Sequence, residues 1–562
     1  MKKLSQILCL LLSLIILFAA CKTPASPEST QPDVPDDVIS EDPSQTEEDP
    51  RTGEYILSDP SLICNNPVHD NNRVFYEIFV GSFSDSTGNG IGDLRGIINR
   101  MDYLNDGDPN SGKSLGVEGL WLTPIFQSPS YHKYDVTDYF SVDKSFGTMG
   151  DLSELIELCH KRDVLVILDL PINHTGRNCE WFRLFEEAHK NGDTESEYYD
   201  LYSWYDRSAG SAPAGRVFTK ITGTTHYYEC NFSGDMPELN FDSEFARKLV
   251  LDVANFYLDL GVDGFRFDAA KYVYYGDHKS SVNFWKWYLE TLRERKPDLY
   301  TIAEVWDGDG ITNLYYPATN CFDFSISQSN GLIADTAKKG DVNSYTGYIE
   351  KYLKNVKSLR EDATIAPFIA NHDTDRAAGF LPSLTGVMQM AANLYILGPG
   401  TPFIYYGEEI GMRGSRGGAN TDANRRLAML WGDGDKIKDP VGTTYTADQQ
   451  TNDTILVQKG DPTSLYTYYK KLLMLRKANP EIARGEYKAL SIQDSKVGGF
   501  ISTYEGSSVL VLHNTTGSEK SVDLSTVTDI PFSKICGVIG MEDASMDGTV
   551  ITLGAQTSCV VR

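Results

Sequence analysis

The sequence predicts an α/β chain built on a (β/α)8 TIM barrel, with an inserted subdomain after strand three and a C-terminal antiparallel β-sandwich domain. Three observations carry that expectation. From Arg73 onward, short apolar runs alternate with longer amphipathic stretches. Eight such runs occur, most of them followed by a helical pattern. The charged residues that interrupt them fall at the C-terminal ends of the runs, where a parallel barrel gathers its chemistry.

The elements follow in chain order. Residues 1–20 join Lys2 and Lys3 to the apolar run ILCLLLSLIILFAA, the charged start and short apolar core of a secretory signal. Ala19 and Ala20 directly before Cys21 resemble a bacterial lipoprotein signal. That likeness makes Cys21 the lipidated first residue of an exported chain, anchored to a bacterial membrane at the cell surface or facing the periplasm. Residues 21–65 are rich in Pro, Ser, Thr, Asp and Glu. They bury too little apolar surface to offset the entropy of ordering, and read as an acidic, flexible tether. The first barrel segment, 66–174, carries VFYEIFV (74–80), GLWLTPIF (119–126) and VLVILDLPINH (164–174). The last is a continuous apolar run of the kind found in strands buried on both faces. Residues 175–240 are irregular, rich in Tyr, Trp, Gly and charge, and too long for an ordinary loop, so they form the inserted subdomain. The second barrel segment, 241–480, carries GFRFDAA (264–270), YTIAEVW (300–306), FDFSI (322–326), IAPFIANHD (365–373) and TPFIYYGEE (401–409). Residues 481–562 change to short alternating runs, the signature of a small antiparallel domain.

A formal net charge of -27 excludes a nucleic-acid partner, because phosphates are repelled. A neutral substrate suits it better. Among the 9 cysteines, Cys179 with Cys230 and Cys536 with Cys559 are candidate disulfides of an exported protein, or else isolated buried thiols.

The strand ends point to one chemistry. Strand three ends in Asp169, Asn173 and His174, strand four in Arg266 and Asp268, strand five in Glu304, and strand seven in Asn371, His372 and Asp373. Alternate residues of a strand share a face, so Arg266 and Asp268 point the same way. Carboxylates gathered in a barrel mouth, without a His/Cys metal cluster, suit glycoside hydrolysis, which needs one ionised and one protonated acid. Arg266 is expected to keep Asp268 ionised. Glu304 needs a raised pKa to act as an acid, which burial near other carboxylates supplies. Asp373 is placed to stabilise an oxocarbenium-like centre. Tyr134, Trp181 and Trp204 are candidates for stacking on sugar rings, or for ordinary loop packing.

The ordered motifs DLPINH (169–174), GFRFDAAKY (264–272), EVW (304–306) and FIANHD (368–373) resemble the four signatures of the α-amylase family, glycoside hydrolase family 13. GLWLTP (119–124), MPELN (236–240) and GTPFIYYGEEIG (400–411) resemble its accessory signatures, and the likeness runs from about Val74 to the C-terminus. It is nearest to cell-surface lipoprotein α-amylases and the intermediate group beside neopullulanases and oligo-1,6-glucosidases. The resemblance implies that Asp268 is the nucleophile, Glu304 the acid/base and Asp373 the transition-state stabiliser. It implies sugar contacts from Tyr134, Asp135, His174, Arg266, His372 and Arg376, and from Lys271 on the leaving-group side. A retaining mechanism implies carboxyl groups about 5–5.5 Å apart. SDSTGNGIGD (84–93) resembles the family's metal loop, with Asp85, Thr87, Asn89, the Ile91 carbonyl and Asp93 as oxygen ligands for a structural Ca²⁺. Thr87 and Asn89 stand where the family pattern has Asn and Asp, which lowers the ligand charge. Asn173 matches a ligand of a further calcium site in many relatives. Ala269 after the nucleophile resembles α-1,4-acting members, and Tyr272 replaces the usual histidine.

The implied function is an extracellular, endo-acting α-1,4-glucan hydrolase working on starch or maltodextrins. The alternatives are a neopullulanase-like, cyclomaltodextrinase-like or α-glucosidase activity on maltooligosaccharides, and, in a different class, a non-catalytic glycan-binding barrel. The implied partners are an α-glucan, a membrane only through the lipid anchor, and other surface glycan-binding proteins.

Overall fold

A computed structural model describes residues 72–382, 386–417 and 421–562. The signal, Cys21 and the tether lie outside the described residues. Seven parallel strands form the central sheet: β1 (Phe75–Ile78), β2 (Gly119–Leu122), β3 (Leu165–Leu170), β4 (Gly264–Phe267), β5 (Tyr300–Ala303), β6 (Asn320–Cys321) and β7 (Phe403–Tyr405). Their spatial order is β6-β5-β4-β3-β2-β1-β7. Single parallel bridges from Phe322 to Ala366 and from Phe368 to Phe403 then link β6 to β7 through residues 366–368 and close the barrel. Two sequence expectations shift here. IAPFIANHD supplies these bridges rather than a full strand. Strand six forms at Asn320–Cys321, before FDFSI rather than within it. The start of β4 has room only for glycine, since a Cβ at Gly264 lies 1.8 Å from the Tyr300 carbonyl oxygen.

Strand periodicity decides what enters the barrel. Phe75, Trp121, Ile167, Ile302, Phe322, Phe368 and Phe403 point inward and make a separate aromatic-rich cluster. Phe75 stacks on Phe403 at 5.1 Å, and Trp121 meets Phe322 at 5.2 Å. The intervening residues Tyr76, Leu120, Leu168, Phe265 and Phe267 pack outward, within the large core that the helices share. Two residues beyond each inward apolar side chain, the next inward position emerges above this plug at the C-terminal mouth. Glu77 follows Phe75, Asp169 follows Ile167 and Glu304 follows Ile302, while Arg266 and Asp268 follow Gly264.

Helices Met149–Lys161, Glu244–Asp259 and His278–Arg295 lie between barrel strands, each with a side-chain N-cap, from Thr148, Ser243 and Asp277. Between β3 and β4 the chain adds a helix at Glu180–Asn191 and a three-stranded antiparallel sheet. The C-terminal region pairs a five-stranded and a three-stranded antiparallel sheet. Leu510, Leu512, Val538 and Val561 of the first face Val522, Ile551 and Leu553 of the second in a core of their own. Neither candidate disulfide forms. Cys179 and Cys230 are separate buried thiols, and Cys559 is a buried thiol while Cys536 directs its Sγ to the Lys534 carbonyl. No helix among the described residues is long and apolar enough to cross a membrane.

Candidate active site

A cavity of about 450 Å³ opens over the C-terminal mouth of the barrel. Asp268, Glu304 and Asp373 all line it, together with Tyr134 and His174. The parallel register explains the cluster. Asp169 on β3 stands directly beside Arg266 on β4, and Arg266 beside Ile302 on β5, two residues before Glu304.

Arg266 is fully buried and holds three carboxylates at once. Its Nη1 donates to Asp169 Oδ1 at 2.7 Å and to Asp268 Oδ1 at 2.7 Å, and its Nη2 lies 3.1 Å from Glu304 Oε1. The Trp121 ring faces the guanidinium, with its centroid 5.3 Å from Cζ. Arg266 does draw the Asp268 carboxyl down, but other effects outweigh it. Burial pushes the Asp268 carboxyl up to about 6, because the attraction of Arg266 is shared and Asp169 and Asp373 repel the charge. Glu304 is also raised, first by burial and then by Asp268 and Asp373, against the pull of Arg266. Its Oε2 accepts the Ala269 backbone N–H at 3.0 Å. That N–H is aimed by a left-handed backbone at Ala269, φ 48°, an uncommon conformation for a residue with a Cβ.

Asp373 behaves differently. Burial opposes its charge, but His372, Arg426 and Arg266 hold its carboxyl well below the usual range. His372 Nε2 is 3.0 Å from Asp373 Oδ2, and Arg426 Nη2 donates to Asp373 Oδ1 at 2.6 Å. His372 Nδ1 donates to the buried Glu77 Oε1 at 2.5 Å. Despite burial, Asp373 and Glu77 push His372 up to about 10, so the imidazole is a cation at neutral pH. Tyr134 joins the halves: its hydroxyl donates to Asp169 Oδ2 at 2.8 Å and accepts from His372 Nε2 at 2.7 Å. The three acids therefore differ electrostatically, with Asp373 firmly ionised, Asp268 near its titration point and Glu304 raised.

The structure separates the remaining sequence candidates. His372 is fully buried and sits behind Tyr134, so it meets the cavity only through Tyr134 and Asp373. Asp135 does not line the cavity; its Oδ1 accepts from Ser128 at 2.6 Å and also from Ser130, bracing the loop that carries Tyr134. Arg376 lies beneath the rim between the rings of Tyr405 and Tyr406, donating to the Tyr406 carbonyl at 2.6 Å. Lys271 turns to the Trp306 carbonyl at 2.6 Å and to Asp307 at 3.0 Å. Trp181 packs on Tyr139, and Trp204 packs against His189 and His226. In each case a local partner captures the side chain.

Sequence reasoning missed several cavity residues: Tyr131, His132, Phe232, Met236, Trp306, Asp422 and Arg426. Phe232 and Trp306 are exposed at 47% and 41%, leaving apolar ring faces beside the acids. Met236 and Trp306 stand within the motifs MPELN and EVW, which were their legible signal, and Glu77, a lone carboxylate inside the apolar run VFYEIFV, marked the buried partner of His372.

The loop at 84–93 lies outside this cavity. Asp85 accepts backbone N–H bonds from Thr87, Gly88 and Gly90, and these hold its carboxyl low against the opposing effect of burial. Asp93 accepts from Ser86 and caps the following helix through Gly96. Asn89 accepts from Ile91, whose side chain is 42% exposed. The donors are all hard oxygens and suit Ca²⁺ in kind, with two carboxylates among them. Asn173, buried at 1% exposure, leaves both side-chain polar atoms without a protein partner.

Comparison with known proteins agrees with this geometry. The family described as "Alpha amylase, catalytic domain" matches residues 77–485. "Alpha-amylase 3" of Dictyoglomus thermophilum is 33% identical over 508 residues, covering 89% of this chain and 94% of its own. An oligo-1,6-glucosidase of Bacillus cereus is 29% identical over 538 residues, covering 82% and 93%. Among solved structures, Eubacterium rectale Amy13B superposes with a TM-score of 0.80 at 32% identity, covering 93% of this chain and 99% of that one. By motif order, barrel geometry and sequence identity, this chain belongs to the α-amylase family of glycoside hydrolases.

Proposed function

We propose that the chain is a retaining hydrolase that cleaves α-1,4-glucosidic bonds within starch and maltodextrins. The observation that carries this is the buried guanidinium of Arg266, held at 2.7 Å to Asp268 and 3.1 Å to Glu304, two acids that line one cavity. Asp268 attacks the anomeric carbon while Glu304 gives its proton to the departing glycosidic oxygen. Glu304, now ionised, then takes a proton from water. That water attacks the same carbon and releases Asp268. Asp373, ionised throughout, offers a carboxylate to the oxocarbenium-like transition state. Chromatography of early products from amylose tests the endo reading. A spread of maltooligosaccharides is expected, and release of glucose alone from chain ends overturns it.

One observation favours the second reading, an enzyme directed to short maltooligosaccharides or cyclodextrins. Asp422 and the Arg426–Asp373 pair line the cavity, and at about 450 Å³ it is the size of a site for a small ligand. Faster turnover of cyclodextrins than of amylose selects it.

A structural Ca²⁺ held by Asp85, Thr87, Asn89, the Ile91 carbonyl and Asp93 is part of the proposal. Because the loop is outside the cavity, a chelator is expected to lower Tm, with recovery on adding Ca²⁺. An unchanged Tm removes the ion. Export and lipid anchoring at Cys21 fit the substrate, since starch is too large to import intact. Membrane attachment is expected to be lost in Cys21→Ala, and its persistence contradicts the anchor.

A further inference from the structure

A second cavity, of about 420 Å³, opens at the opposite, N-terminal mouth of the barrel. It is bounded by the first residues of β3 and β5, Leu165 and Tyr300, and by Asn320 at the start of β6. The proposed chemistry makes no use of it. Three arginines line it, Arg73, Arg293 and Arg360, in a chain whose formal net charge is -27.

Three aspartates line it as well, and each already has a partner. Asp263 Oδ2 is 2.9 Å from His160 Nε2 and accepts the Val166 N–H at 2.8 Å. Asp298 accepts from Lys296 at 3.1 Å, and Asp362 accepts from Arg360 Nε at 2.6 Å. Arg73 is held on Asp163 at 3.0 Å. Arg293 is the exception. Its guanidinium donates only to neutral acceptors, the Ala318 carbonyl at 3.3 Å and Thr301 Oγ1 at 3.2 Å. Burial, and then repulsion from the nearby Arg360, depress its pKa; Asp362 and Glu290 attract it, with no ion pair formed among the described residues. Arg360 pairs Nε with Asp362 and spends Nη1 on the Tyr316 carbonyl and Nη2 on Asn320 Oδ1, so of the two neighbouring guanidiniums only that of Arg293 has no carboxylate against it among the described residues. Two like charges facing one cavity cost free energy that an anion between them recovers.

We propose that this N-terminal cavity is an anion site that takes the phosphate group of a small phosphate monoester, through Arg293 and Arg360. Guanidinium forks match phosphate oxygens in pairs. The volume falls in the range that holds a small organic ligand rather than a bare ion. Sugar phosphate and inorganic phosphate share the headgroup, and the test separates them.

Isothermal titration of the full chain with glucose 6-phosphate, inorganic phosphate and glucose is the experiment, each at matched ionic strength. Glucose 6-phosphate is expected to bind at least tenfold tighter than inorganic phosphate, and glucose is not expected to use this site. Arg293→Gln is expected to weaken glucose 6-phosphate binding at least tenfold, Arg293→Lys to weaken it less, and Asp268→Asn to leave it unchanged. Starch hydrolysis is expected to survive Arg293→Gln, which reports that the variant is folded. The proposal is overturned if glucose 6-phosphate gives no heat beyond a chloride control, or if Arg293→Gln binds it as well as the parent does. Loss of binding in Asp268→Asn also overturns it, by assigning the ligand to the active-site cavity.

Discussion

Asp268→Asn is expected to lower kcat on soluble starch by about 10⁴-fold or more while the protein stays folded. The substitution keeps the shape of the side chain but removes the carboxylate proposed as nucleophile, and residues that act as one catalytic unit lose most of their effect together. Arg266 retains Asp169 and Glu304 as partners, so the barrel floor loses one of three ion pairs and no guanidinium is stranded. Hydrolysis persisting within tenfold of the parent, with an unchanged melting curve, rejects Asp268 as nucleophile. The same carboxyl sets a pH dependence. It must be ionised to attack, and it lies at about 6, so kcat/KM is expected to fall as the pH drops below that value. The alkaline limb belongs to Glu304, which must be protonated to assist departure and whose pKa is raised by burial. An activity profile still flat at pH 4 contradicts the assignment.

Arg266→Met is expected to destabilise the protein by about 3–5 kcal/mol, the usual cost of removing one partner from a buried ion pair. Three carboxylates depend on this one cation, with His372 adding a further attraction on Asp169. The pH dependence gives the sign. Without Arg266, burial and mutual repulsion raise the folded-state pKa values of these acids further above their unfolded values. A group raised in this way is stabilising while protonated, and that contribution is lost as pH rises through the folded pKa. The deficit relative to the parent is therefore expected to narrow at pH 5 and widen at pH 8, in urea titrations at each pH. A deficit under 1 kcal/mol at pH 8 shows that the three acids do not rely on the guanidinium. Activity is expected to be lost as well, since Asp268 and Glu304 lose the cation that fixes them both.

The barrel was legible in the sequence because its signal is local. Period-2 alternation put Ile167 and Asp169, or Ile302 and Glu304, on one face, and the helical patterns between strands fixed the parallel sense. The same alternation places Asp268 and Glu304 in the mouth. The seventh strand was misjudged because 365–373 is apolar enough for a strand but makes only two bridges, a property of its neighbours rather than of its own residues.

The site was legible only in part, and the failures share one cause. Asp135, Arg376, Lys271 and His372 occupy the anticipated stretches of chain, yet their side chains turn to Ser128, Tyr406, Trp306 and Glu77. Motif position places a Cα; hydrogen-bond partners from distant segments place the functional group. Arg426 went unseen for the converse reason, since it comes from an irregular stretch, 412–454, with no periodicity to read.

By itself, then, the sequence determined the parallel barrel, the rim on which its polar residues gather, and the identity of the three acids there, because these follow from strand periodicity and order. Only the tertiary structure decided how the charges are shared. One guanidinium serves three carboxylates, His372 and Arg426 converge on Asp373, and Glu304 and Asp268 are left raised. A pKa depends on burial and on charges a few ångströms away, and those neighbours come from segments up to some 300 residues apart in the chain, as Glu77 and His372 are.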